Sequence, residues 1–121
     1  MEEGRCPAEA YMSSIFGVAR SGLEVAAQRL AVSAHNVANV LTEGFVPSRV
    51  EAEELAEGGV AGRVANDPAV ESRLDRIAGL SGTDLVEETV GQIQAAAAYR
   101  ASAASLRAAD ETLSALLDIG A

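Results

Sequence analysis

Four groups of side chains in this 121-residue chain are of types that do chemistry: His35, Cys6, the adjacent carboxylates Glu87 and Glu88, and the acidic run Glu51, Glu53, Glu54 and Glu57. An imidazole is the usual general base near neutral pH. His35 is the only one here, and it stands beside Asn36 with no nucleophile or metal partner at a recognisable spacing. Cys6, next to Pro7, is the only thiol, so no internal disulfide and no Cys/His zinc set can form. Glu87 and Glu88 are neighbours on a helix and point in different directions, and acids in a first turn are already explained by the helix dipole. The acidic run is most simply a solvated strand face, with oxygen ligation of a metal as the weaker alternative. No glycine-rich phosphate loop, dinucleotide fingerprint or nucleophile elbow is present. The residues therefore predict no enzyme, no metal and no cofactor.

What these residues share is their placement on two long apolar-periodic stretches. Met12, Phe16, Ala19, Leu23, Ala26, Leu30, Val37 and Val40, with Ser33 as a polar step, alternate spacings of four and three. That is an a/d seam, and it predicts a helix over about 10–41 packed in coiled-coil fashion. Gly17 and Gly22 each weaken it by about 1 kcal/mol relative to alanine. The stretch SAHNVANVLTEGF, Ser33 to Phe45, ends it: Val37 and Leu41 continue the apolar spacing while Asn36 and Asn39 compete for backbone groups. Gly44 then supplies a residue able to take positive φ before Phe45 restarts a different pattern. Asn36, Asn39, Gly44 and Phe45 are the residues expected to define this turn.

Residues 1–9 read as a flexible lead-in, broken by Gly4 and Pro7. The insert, about 42–82, carries two β-like runs, Val46 to Val50 and Val60 to Val64, on either side of Gly58-Gly59, which predicts a hairpin. Asp67-Pro68 marks a turn, and Val70, Leu74 and Ile77 have helical spacing. The second long helix, about 84–119, starts at Asp84 with Glu87 three residues on, a capping-box spacing. Its apolar face is read as Val86, Val90, Ile93 and Ala97, then Leu106, Ala109, Leu113 and Leu116. The fold class is mainly α: two long helices in an antiparallel coiled-coil hairpin with a short β-like or irregular insert. Residues 10–121 form one domain. Leu23, Leu30, Val37, Leu41, Val86, Val90, Ile93, Leu106, Leu113 and Leu116 are the expected packing and protein-interaction positions.

Eighteen acids face nine arginines and no lysine, a formal charge of −9. Nucleic acid backbone and anionic membrane surfaces both need a basic patch, so neither is an expected partner. No run approaches the roughly 18 apolar residues of a membrane span. The acidic start MEEGRCPAEAY is also unlike a secretory signal. Ile15, Val25, Val32, Leu41, Leu85, Leu117 and Ile119 fall off the seam, and they call for a partner unless the insert folds back over them.

The helix-end and second-helix motifs resemble those of the flagellar basal-body rod and hook axial proteins, most closely the proximal-rod type, FlgC. The first is Ala34-His35-Asn36-Val37-Ala38-Asn39 followed by Thr42-Glu43-Gly44-Phe45. The second is Asp84 to Val90, then Ala98-Tyr99-Arg100-Ala101-Ser102-Ala103, then Ala109 to Leu113. His35 and Glu43 replace an asparagine and a proline of the family pattern. The resemblance implies a structural subunit that leaves the cytoplasm through the flagellar type III export apparatus without a cleaved signal. It also implies assembly with itself and other rod subunits into the hollow rod of the basal body that spans the periplasm, by means of terminal helices. The alternative is a diverged helical adaptor that stays in the cytoplasm and binds another protein.

Overall fold

The computed structural model describes residues 7–74 and 80–120. Cys6 and most of the expected lead-in lie outside them, as does Ile77. The element order is α1 (Pro7–Ala38), β1 (Ser48–Glu54), β2 (Val60–Asn66), α2 (Pro68–Leu74) and α3 (Leu85–Gly120). The protein is mainly helical, with one small two-stranded sheet.

α1 begins at Pro7, a residue suited to a first helical position because its missing N–H has no intrahelical partner to lose. The helix stops at Ala38, three residues short of the expected end. The Asn39 side-chain amide turns back to donate to the His35 carbonyl at 2.9 Å. Two tight turns, from Asn39 N–H to Asn36 O and from Val40 N–H to Val37 O, then unwind the chain. Gly44 takes φ +70°, as the sequence requires of a turn glycine. Leu41, read as the last residue of the apolar face, therefore leaves that face and stands 93% exposed.

β1 and β2 pair antiparallel, with Val50 opposite Val64, Ala52 opposite Gly62 and Glu54 opposite Val60. Gly58 and Gly59, both at φ +91°, make the turn. Alternation puts the Val50, Gly62 and Val60 side of the hairpin against α1. Gly62 sits over Gln28, and Gly59 lies against Ser21, whose hydroxyl accepts from Val60 N–H at 3.1 Å. The tip reaches as far as Val18. This fold-back buries Val25 and half-buries Val32, two of the residues left over by the seam.

α2 is capped by Asp67, whose carboxylate accepts from Ala69 N–H at 3.0 Å while Pro68 occupies the first helical position. α3 is capped by Asp84, which accepts from Val86 N–H at 2.8 Å and Glu87 N–H at 3.2 Å. The core between α1 and α3 is narrow and largely alanine: Ala19, Ala26, Ala95 and Ala109 are its buried apolar members there. Small residues bring two helices close but bury little area each.

Candidate interaction surface

The faces that α1 and α3 present to each other are set by hydrogen bonds and small side chains. Asn36 is the most buried side chain described, 1% exposed. Its Nδ2 donates to Ser48 O and to Glu88 Oε1, each at 2.7 Å, and its Oδ1 accepts from Ser48 N–H at 3.0 Å. Its backbone carbonyl accepts from the Thr83 hydroxyl at 3.2 Å. One turn back, the buried Ser33 hydroxyl donates to Glu88 O at 3.3 Å and accepts from Gln92 Nε2 at 3.1 Å. Further along, Gly22 faces Ser102. Residue numbers on α3 rise as those on α1 fall, so the two helices run in opposite directions.

On α1 the contact stripe includes Ala19, Leu23, Ala26, Ser33 and Val37, close to the expected seam, although Leu30 remains 43% exposed. On α3 the stripe is Glu88, Gln92, Ala95, Ser102, Leu106, Ala109 and Leu113. Leu106 and Leu113 are half-buried. Val86, Val90 and Ile93 are not on the α1 side: Val86 is 74% and Ile93 66% exposed, and Leu116 is exposed as well. The physical reason is phase. Val86 precedes Glu88 by two residues, about 200° around a helix of 3.6 residues per turn, so the apolar stripe and the stripe that meets α1 lie on opposite sides. Both have spacings of four and three. The polar one wins the intramolecular contact because Asn36 and Ser33 offer it hydrogen bonds.

The outer side of the helix pair is consequently apolar in two places. Val86, Val90 and Ile93 form a ridge on α3. Away from the hairpin, Ala27, Leu30, Ala31, Ala34, Ala96 and Tyr99 line an apolar groove between the helices. Tyr11, Ile15, Leu117 and Ile119 add exposed apolar surface toward the chain ends. Isolated exposed apolar residues are ordinary, whereas a ridge beside a groove is the surface pattern of a contact with another molecule.

The residues first suspected of chemistry have other occupations. His35 packs edge-on against Phe45, ring centres 5.6 Å apart, and so steadies the turn. Glu88 is tied to Asn36, and Glu87 lies 3.6 Å from Arg49, which also pairs with Asp67. Glu51 pairs with Arg63 across the hairpin at 2.7 Å, and Glu53, Glu54 and Glu57 are exposed. No group of three or more metal-ligating side chains converges among the described residues. No described helix is long and apolar enough to cross a membrane.

The partnership of Glu88 and Gln92 with Asn36 and Ser33 is absent from the sequence reading. Its signal was available: polar residues four apart on α3 and three apart on α1, each set inside an otherwise heptad-spaced stretch.

The chain matches no curated protein. Residues 80–119, about a third of the chain and nearly all of α3, match the family model described as flagellar basal body rod FlgEFG protein C-terminal. That match supports a relation to the flagellar rod and hook axial proteins and, with it, a structural role in the flagellar basal body.

Proposed function

We propose that the chain is a structural subunit of the flagellar basal-body rod, of the proximal-rod type, which assembles with itself and with other rod subunits through its terminal helices. The observation that carries this reading is the family match over 80–119 on a helix whose outer ridge, Val86, Val90 and Ile93, stays about half to three-quarters exposed. The motif ending α1, Asn36 to Phe45, supports it from the other end of the chain. In this reading α1 and α3 form an antiparallel coiled-coil hairpin, and neighbouring subunits bury the ridge and the alanine-lined groove. Leu30, Leu41 and Leu116 join those contacts, while Leu23, Val37, Leu106 and Leu113 hold the hairpin itself. The subunit leaves the cytoplasm by the flagellar type III exporter, is not an enzyme, and takes no cofactor.

The test is location. A tagged chain expressed in a flagellated bacterium should be recovered in purified basal bodies, and it should remain in the cytoplasm of a strain whose flagellar exporter is disabled. Retention in the cytoplasm of both strains, with a soluble protein co-purifying, would move the reading to a non-polymerising adaptor.

A further inference from the structure

We propose that Asn36 and Glu88, with Ser33 and Gln92 one turn away, form a register lock that selects which helix α1 accepts and at which level. The carboxamide of Asn36 is fully used: its two N–H groups go to Ser48 O and Glu88 Oε1, and its oxygen takes Ser48 N–H. At 1% exposure the carboxamide is shielded from solvent in the native pairing. A one-heptad slip of α3 sets Ala95 opposite Asn36, and Ala95 has no side-chain acceptor. Leaving one buried N–H unpaired disfavours the slipped pairing by about tenfold or more, and such a cost discriminates by penalising the wrong partner. A single buried asparagine at a coiled-coil seam position fixes register in this way, and Asn36 stands directly beside such a position, Val37. The apolar ridge of Val86, Val90 and Ile93 has the same spacing as the true contact face and is more hydrophobic, so without the lock it competes for α1. The lock is therefore the device that keeps the ridge outside. Because Asn36 also holds Ser48, the first residue of β1, choosing the correct helix and seating the hairpin are one event. This inference concerns pairing within the chain and stands whether or not the protein belongs to a rod.

Full-length protein carrying Cys6→Ser reports register through paired cysteines. A Cβ at Gly22 would stand 3.6 Å from that of Ser102, within the range for a disulfide. Gly22→Cys with Ser102→Cys therefore marks the native register, and Gly22→Cys with Ala95→Cys or Ala109→Cys marks slips of one heptad. Under reversible thiol–disulfide exchange, only the native pair should close within the chain. Adding Glu88→Leu should raise slipped and interchain products about tenfold or more, as loss of a buried partner allows, and Glu88→Gln, whose amide oxygen still accepts from Asn36, should restore exclusivity. Asn36→Leu with Glu88→Leu removes both ends of the Asn36–Glu88 bond but also strips Ser48 of its partner, so it should lose stability and exclusivity together, whereas the rescue by Glu88→Gln is an effect that ordinary structural damage does not produce. A folded double variant that closes only the native pair overturns the lock. If the double variant does not fold, Glu88→Leu and Glu88→Gln decide between them: equal patterns overturn the proposal, and different patterns uphold it.

Discussion

Gly22 on α1 approaches Ser102 on α3 so closely that a Cβ at position 22 would lie 2.8 Å from the Ser102 hydroxyl oxygen and 3.6 Å from its Cβ. The crowded atom ends a side chain that turns about one bond, so an alanine has room once the hydroxyl swings away. Gly22→Ala should therefore be neutral or stabilising by up to about 1 kcal/mol from helix propensity. Gly22→Leu overfills the contact and should destabilise by about 1–3 kcal/mol. Urea denaturation followed by circular dichroism measures both.

Gly82 gives the opposite expectation from Gly17. A Cβ at Gly82 would collide with Val70 and press on Pro47 and on the backbone oxygen of Phe45, to which Gly82 N–H donates at 2.9 Å. Gly82→Ala should lower stability by about 1–3 kcal/mol. Gly17, inside α1, has open space around it, so Gly17→Ala should raise stability by about 0.5–1 kcal/mol. Equal shifts at the two sites would contradict the packing described.

Asp67 closes the hairpin as well as starting α2, because its backbone N–H donates to Pro47 O at 3.1 Å and its carboxylate meets both Ala69 N–H and Arg49. Asp67→Ala should cost about 1–2 kcal/mol through the lost cap alone. Arg49→Ala leaves that cap in place, so a smaller loss is expected. Thermal melting of the two variants checks the order.

Ile93→Glu separates the chain's own fold from its association. Ile93 faces away from α1, so the substitution should change unfolding free energy by no more than about 0.5 kcal/mol. If neighbours use the ridge, wild-type protein should gain mass and helicity together as concentration rises, and Ile93→Glu should abolish the gain. Light scattering across a concentration series, with circular dichroism on the same samples, reads both. A wild-type chain that is a fully helical monomer at every concentration would count against assembly through this ridge.

The two long helices, the Asp84 cap and the hairpin were legible because each has a local cause: spacing of four and three, Asp84 before its helix, and Gly58-Gly59 between alternating runs, whereas Asp67-Pro68 reads from sequence only as a turn and its capping of α2 appears in the structure. The α1 stripe was legible for the same reason. The α3 face was not. Apolar spacing alone offered Val86, Val90 and Ile93, whereas the contact with α1 depends on what α1 presents, an asparagine and a serine, and only the polar pairs of the two helices read together carry that information. Leu41 leaves the α1 face for a different reason, since the asparagines that end the helix act on the backbone before the apolar pattern runs out. The fold-back of the hairpin onto Val25 depends on Gly62 fitting over Gln28, a tertiary contact with no sequence period of its own.

The hairpin also works as a ruler. Its seven-residue strands span about 23 Å at roughly 3.3 Å per residue, close to the ~27 Å of α1 between Asn36 and Val18 at about 1.5 Å per residue. Past the Gly58-Gly59 tip, which lies against Val18, only α1 and α3 continue among the described residues. Strand length thus decides how much of each helix is armoured from within and how much is left bare, and adding or removing a residue pair in β1 and β2 would move that boundary by about two rungs.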